Sequence, residues 1–118
     1  MGGMSSKAKI ADPELKNYVE SEVKKNQIVV WSKTYCSYCS RTKALFQKPE
    51  FEGCTVKVHE LDQISNGNAI QSLLAVMTGQ RTVPSVWISG QFLGGNDDTQ
   101  AAYRSGKLQK LLGISSKL

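Results

Sequence analysis

The stretch Ile28-Val29-Val30-Trp31-Ser32-Lys33-Thr34-Tyr35-Cys36-Ser37-Tyr38-Cys39-Ser40 decides the fold. An unbroken apolar run leads straight into two cysteines three residues apart. A run apolar at every position predicts a strand over 27–32 buried on both faces, as a central strand is. Residues 37–47 read as a helix that begins at the cysteine pair. It takes its apolar mass from Ala44, Leu45 and Phe46 and is stopped by Pro49. Strand, then CxxC, then helix is the setting in which the motif signals redox chemistry.

Toward the N-terminus, Asp12-Pro13-Glu14 reads as an N-cap, a first-turn proline and a first-turn acid. Leu15, Tyr18, Val19 and Val23 follow at helical spacing, which predicts a helix over 12–25 with one apolar face. Toward the C-terminus, Thr55 to Leu61 is a second strand. "ISNGNAIQSLLAVMTG" over 64–79 is a third helix, with Ile70, Leu73, Leu74 and Met77 on one stripe and Gly79 as the residue that ends it. Ser85 to Ile88 and Gln91 to Leu93 are short strands around Ser89-Gly90, an antiparallel hairpin. Asn96 or Asp97 caps a fourth helix ending at Gly106, and Leu108, Leu111 and Leu112 close the chain as a short docking helix. The sum is an α/β sandwich: a four-stranded mixed sheet with helices on both faces.

With 118 residues the chain is long enough for one core and too short for two. Residues 1–11 are small and polar and read as a flexible N-terminal segment ahead of one domain over 12–118. No apolar run reaches membrane-spanning length, and "MGGMSSKAKIADPE" has no apolar signal core. The expectation is a cytoplasmic chain without a membrane span. Met1-Gly2 with Ser6 fits the loose N-myristoylation pattern, set against a non-native extension ahead of a start at Met4. The formal net charge is +5, with lysines spread along the chain and no dense basic run. That describes a solvated surface with a mild pull on anions, not a nucleic-acid footprint.

Three cysteines, Cys36, Cys39 and Cys54, are an odd count that points to a reducing compartment rather than a secreted disulfide framework. A zinc site would need a fourth ligand; His59 lies in a strand five residues past Cys54, without a second tight ligand pair beside it. An inert pair of small core residues is the blander alternative to a reactive dithiol, and the polar flanks Lys33, Thr34, Ser37 and Ser40 oppose it. The unpaired N–H groups and dipole of a helix start favour a thiolate at Cys36, and Lys33 adds positive charge. Cys39, one turn in with its N–H inside the helix, is expected to be less exposed and less acidic. Cys36 then attacks and Cys39 resolves. Cys54 reads as a half-buried thiol at a strand start, or else as a regulatory thiol.

Two further segments suggest a groove. Pro84, in "RTVPS", marks a strand start or edge; with a cis peptide it would expose the Val83 backbone for pairing with an extended ligand. "GGNDD" over 94–98 brings the backbone close to a ligand and opens a helix, whose N-terminus accepts a carboxylate. Asp97 and Asp98 are there either as caps or to hold an amine. Gln71 reads as plain surface or as a carboxylate donor.

"KTYCSYC", "QRTVPSVWISG" and "FLGGNDD", in that order and at these separations, resemble a glutaredoxin with a dithiol site. The match spans roughly residues 14–113. The resemblance implies a thioredoxin fold, a cis peptide before Pro84 and glutathione as reductant and substrate. It makes Cys36 the nucleophile that becomes glutathionylated and Cys39 the second thiol. Lys33 and Gln71 resemble residues that meet the glycine carboxylate of glutathione. Tyr38 lines the groove, the Thr82 and Val83 backbone pairs with the cysteinyl part, and Asp97 and Asp98 match the γ-glutamyl site.

Ser37 departs from the proline found there in many dithiol members. Some members with serine resemble this chain and hold a [2Fe–2S] cluster between two subunits, ligated by the nucleophilic cysteine and a glutathione thiolate from each. The leading expectation is therefore a glutathione-dependent disulfide oxidoreductase. It would act, as a monomer without metal, on protein–glutathione mixed disulfides and protein disulfides. The alternative is a cluster-bridged homodimer serving as iron–sulfur store, carrier or redox sensor, with Cys36 as the metal ligand. A non-catalytic scaffold of the same fold would require an unreactive Cys36.

Overall fold

The structure, a computed structural model, describes residues 12–115. The expectations for residues 1–11, including the Met1-Gly2 pattern, lie outside the described residues. Within them the elements run α1 (Pro13–Lys25), β1 (Ile28–Ser32), α2 (Ser37–Phe46), β2 (Val56–Glu60), α3 (Gly67–Thr78), β3 (Ser85–Ile88), β4 (Gln91–Gly94), α4 (Asn96–Ser105) and α5 (Lys107–Leu112). Short 3-10 turns at Pro49–Phe51 and Leu61–Gln63 follow α2 and β2.

The strands form one sheet in the order β2-β1-β3-β4. β1 runs parallel to β2, with Val30 opposite Val58, and antiparallel to β3, with Val30 opposite Val86. β1 is therefore central, and all five of its residues are buried. Its side chains alternate between two cores. Ile28 and Val30 join Leu45, Phe46, Phe51, Val86, Ala102 and Leu108 under α2, α4 and α5. Val29 and Trp31 join Val19, Val23, Ile70, Leu73 and Leu74 under α1 and α3. This is the mixed sheet flanked by helices that the thioredoxin fold requires.

Several element ends follow the local chemistry read from the sequence. Asp12 caps α1, its Oδ1 accepting the Leu15 N–H at 3.0 Å, and Pro13 occupies the first turn. Ser89 and Gly90 both have positive φ, 52° and 83°, the geometry of a tight two-residue hairpin turn. Gly79 ends α3 at φ 80°.

Two starts differ. α3 begins at Gly67, not at Ile64, because Ile64 is still extended after the 3-10 turn. Gly67 packs so tightly on the Leu61 carbonyl that a Cβ would collide with it. Neither Asn96 nor Asp97 caps α4; Gly95 holds that position without a side-chain cap. Asn96 is buried as the first helical residue, and its Oδ1 accepts from Thr42 Oγ1 at 2.9 Å and from Gln100 Nε2 at 3.2 Å. The side chain that was expected to close the helix end instead ties α4 to α2.

Candidate active site

Cys36 is the N-cap residue of α2. Its extended backbone (φ −93°, ψ 119°) turns the thiol back over the first turn, where Sγ accepts the Cys39 N–H at 3.2 Å. The Cys39 N–H is thus not consumed inside the helix as expected: first-turn N–H groups have no helical carbonyl to bond, and the sulfur takes this one. A thiolate gains from that donor and from the positive end of the helix dipole. Cys36 is half-buried, while Cys39 is fully buried at 0% exposure. Burial, followed by the contact with Cys36, pushes the Cys39 thiol up to about 11. The two thiols, three residues apart, are therefore set in different environments, one open and donor-facing, the other dry.

The Cys36 thiol also faces the Val83 carbonyl, 3.8 Å away. Val83 in turn lines a groove of about 470 Å³, together with Tyr38, Gln80, Thr82, Pro84, Gly95, Asn96, Asp97 and Asp98. The Val83–Pro84 peptide is cis, and Pro84 is buried at the groove floor just before β3. Tyr38 is about half exposed, with the Arg41 guanidinium 5.3 Å from its ring centre. At the far end stands the α4 N-terminus, with Asp97 and Asp98 exposed in its first turn. Gly94, at φ 140°, lets the chain pass so close to Asp98 that a Cβ would strike that carboxylate.

The groove gathers Tyr38, Thr82, Val83, Pro84, Asp97 and Asp98 from the residues expected by sequence. Lys33 and Gln71 do not line it. Lys33 Nζ stands 6.0 Å over the Tyr35 ring, and its charge acts on Asp62, whose carboxyl is held low first by the Thr34 hydroxyl bond. Gln71 Nε2 donates to the Arg81 carbonyl at 2.9 Å and borders an adjacent cleft with Arg81. Gly95 and Asn96, from the GGNDD stretch, and Gln80 complete the groove; Gln80 was not singled out from the sequence, its only signal being its position beside Gly79.

A larger cleft of about 630 Å³ lies between α1 and β2 and holds no thiol. His59 and Glu22 line it, with His59 Nε2 3.0 Å from Glu22 Oε1 and its ring stacked on Trp31 at 4.2 Å. Cys54 packs against the core on the opposite face of the sheet, where burial raises its thiol. His59 and Cys54 are thus separated by the sheet. The smaller groove is the one whose lining residue Val83 meets the Cys36 thiol.

A comparison with known families matches the glutaredoxin model over residues 28–93. The chain is 50% identical to rice Glutaredoxin-C8 over 101 residues, covering 86% of this chain and 74% of that protein. Among solved structures it is similar to the buckwheat glutaredoxin–glutathione complex, at 45% identity and TM-score 0.77, covering 86% and 93% of the two chains. It is also similar to the holo form of glutaredoxin C1 from Populus tremula x tremuloides, at 40% identity and TM-score 0.76, covering 86% and 97%. The fold, the thiol pair and these matches together place the chain in the glutaredoxin family, whose members are glutathione-dependent thiol oxidoreductases.

Proposed function

We propose that this chain reduces protein–glutathione mixed disulfides and protein disulfides in the cytoplasm, with glutathione as reductant. The observation that carries the reading is that the Cys36 thiol stands 3.8 Å from the carbonyl of Val83, a residue lining a groove that runs to the α4 N-terminus. Its length presents three different chemistries to an extended tripeptide. The thiol end takes the disulfide sulfur. The Thr82–Val83 backbone offers strand-like pairing to the cysteinyl part. At the helix start, free N–H groups suit the γ-glutamyl carboxylate and the Asp97 and Asp98 carboxylates suit its ammonium. Glutathione bound in the buckwheat relative supports the same ligand here. Tyr38 forms a wall of the groove.

The Cys36 thiolate attacks the glutathione sulfur of a protein–S–S–glutathione disulfide. A Cys36–glutathione disulfide forms, the protein–sulfur bond breaks, and the protein thiolate leaves and takes up a proton. A second glutathione thiolate then attacks the glutathione sulfur on Cys36, releasing glutathione disulfide and restoring the Cys36 thiolate. With a protein disulfide, Cys36 binds one sulfur and Cys39, after losing its proton, closes on Cys36 and frees the substrate. Two glutathione molecules then reduce the Cys36–Cys39 bond. Burial raises the Cys39 thiol, so Cys39 must lose its proton before it can resolve, whereas the monothiol route needs only Cys36. Cys36→Ser is expected to reduce turnover of a glutathionylated peptide to background. Cys39→Ser should keep much of that turnover and lose reduction of protein disulfides. Normal turnover by Cys36→Ser in a glutathione-coupled assay would sink the proposal.

The cluster-bridged homodimer is a second reading, motivated by Ser37. Among the described residues no three His, Cys, Asp or Glu side chains converge as a metal site. A [2Fe–2S] cluster would draw on the half-buried Cys36 of each of two chains and on two glutathione thiolates, with Cys39 too deeply buried to join. Such a group would supply iron–sulfur storage or redox sensing. Anaerobic reconstitution with glutathione is expected to give a coloured dimer that Ser37→Pro weakens; a colourless, active monomer would remove this reading.

A further inference from the structure

The segment Arg81–Pro84 borders the groove, yet it is not held by the sheet, because β3 starts only at Ser85. Its carbonyls are held by side chains. Gln71 Nε2 takes the Arg81 carbonyl at 2.9 Å. Gln80 Nε2 takes two, the Thr82 carbonyl at 2.9 Å and the Pro84 carbonyl at 2.9 Å. The carbonyl between those two, on Val83, is the one that faces the Cys36 thiol at 3.8 Å. One amide group therefore pins both neighbours of the peptide unit that borders the nucleophile.

Gln80 is itself anchored. Its backbone N–H donates to Thr78 Oγ1 at 3.0 Å, and that hydroxyl donates to the Leu74 carbonyl at 2.7 Å. The residue is thus fixed to the last turn of α3. Its amide oxygen faces the other wall of the groove, where a Cβ on Gly95 would stand 3.6 Å from it. Both amide protons go to protein carbonyls, so none is left to donate to a ligand. The geometry is that of a brace joining the end of α3, the groove loop and the entrance to α4.

Resting on the function proposed above, we propose that Gln80 is a positioning residue for glutathione recognition: by tying the Thr82 and Pro84 carbonyls to α3, it holds the Val83 backbone in the orientation that pairs with the cysteinyl part of glutathione. Without it, the loop must be ordered by the ligand, and that ordering weakens binding. The chemistry at sulfur is unaffected once the complex has formed. Loss of Gln80 should therefore appear in affinity and KM, not in kcat.

The test uses Gln80→Met, which keeps length and volume but cannot donate, with Gln80→Ala as a second variant. Reduced glutathione is titrated by NMR into each variant and the parent chain, all carrying Cys36→Ser. Turnover of a glutathionylated peptide is measured separately with Cys36 intact. Both variants are expected to bind glutathione about tenfold more weakly, equivalent to about 1.4 kcal/mol, with KM raised in step and kcat within about twofold. Unchanged affinity in both variants beside a parent chain that binds would overturn the inference alone. Loss of kcat at unchanged KM would also overturn it. A parent chain that binds no glutathione would overturn the proposed function and this inference with it.

Discussion

Cys36 and Cys39 show how far three residues can separate two identical side chains. The first is half-buried and caps a helix; the second is enclosed, and burial raises its thiol to about 11. The asymmetry was legible in the sequence from the helix start alone, but the sulfur's role as acceptor for the Cys39 N–H was not, because it depends on the backbone angle at Cys36. His59 is a comparable case. Burial lowers its imidazole, which outweighs the opposite pull of Glu22, with Lys57 and Lys25 pushing it down as well. Between the ordinary histidine value and its lowered native one, the unfolded chain binds a proton that the folded chain does not. Stability should then fall as pH drops below about 6.5. Glu22 adds a loss at lower pH. Burial pushes its carboxyl up, but Lys25 and His59 together hold it below the usual range, so protonation works against the fold. His59→Phe keeps a ring against Trp31 and removes the titration, and its urea-unfolding stability is expected to vary less than the parent's between pH 7 and 5. A parallel pH dependence in both proteins would contradict this account.

The elements themselves were mostly readable, since β1 and the stripes on α1 and α3 carry strong periodicity. The starts of α3 and α4 were not. At α3, Gly67 packs on the Leu61 carbonyl, and at α4, Gly95 takes the cap position without a side-chain bond; neither leaves a pattern in the local sequence. Asn96 was misread for a related reason: asparagine is a common cap, but here it sits under a neighbouring helix that only the folded chain supplies. The Thr42–Asn96 bond joins α2, which carries the nucleophile, to α4, which forms the far end of the groove. Thr42 is fully buried, and valine has nearly its shape. Thr42→Val should cost about 1 kcal/mol, since Gln100 still satisfies Asn96 in part. The readout is a lower urea midpoint at unchanged slope. A midpoint equal to the parent's would show that the two helices are held by apolar packing alone.

Across the whole molecule, the central place of β1 was implied by a single feature, the apolar run over 28–31, while the order of the other strands was not. The groove was harder, because it draws on segments near residues 36, 82 and 97 that meet only when β1 and β3 lie side by side. Family resemblance supplied the positions; the sequence had no means of showing that Gln80 braces the loop. The capping role of Cys36 extends to this scale. A sulfur in a disulfide is a poorer acceptor than a thiolate, so glutathionylation of Cys36, as proposed, would weaken the bond that closes the first turn of α2. That turn also carries Tyr38, one wall of the groove. Turnover by the proposed route would therefore alternate between a sealed and a loosened helix end. Under the proposed function, the redox state of one atom would be written into backbone hydrogen bonding, and the deglutathionylated protein would leave from the loosened state.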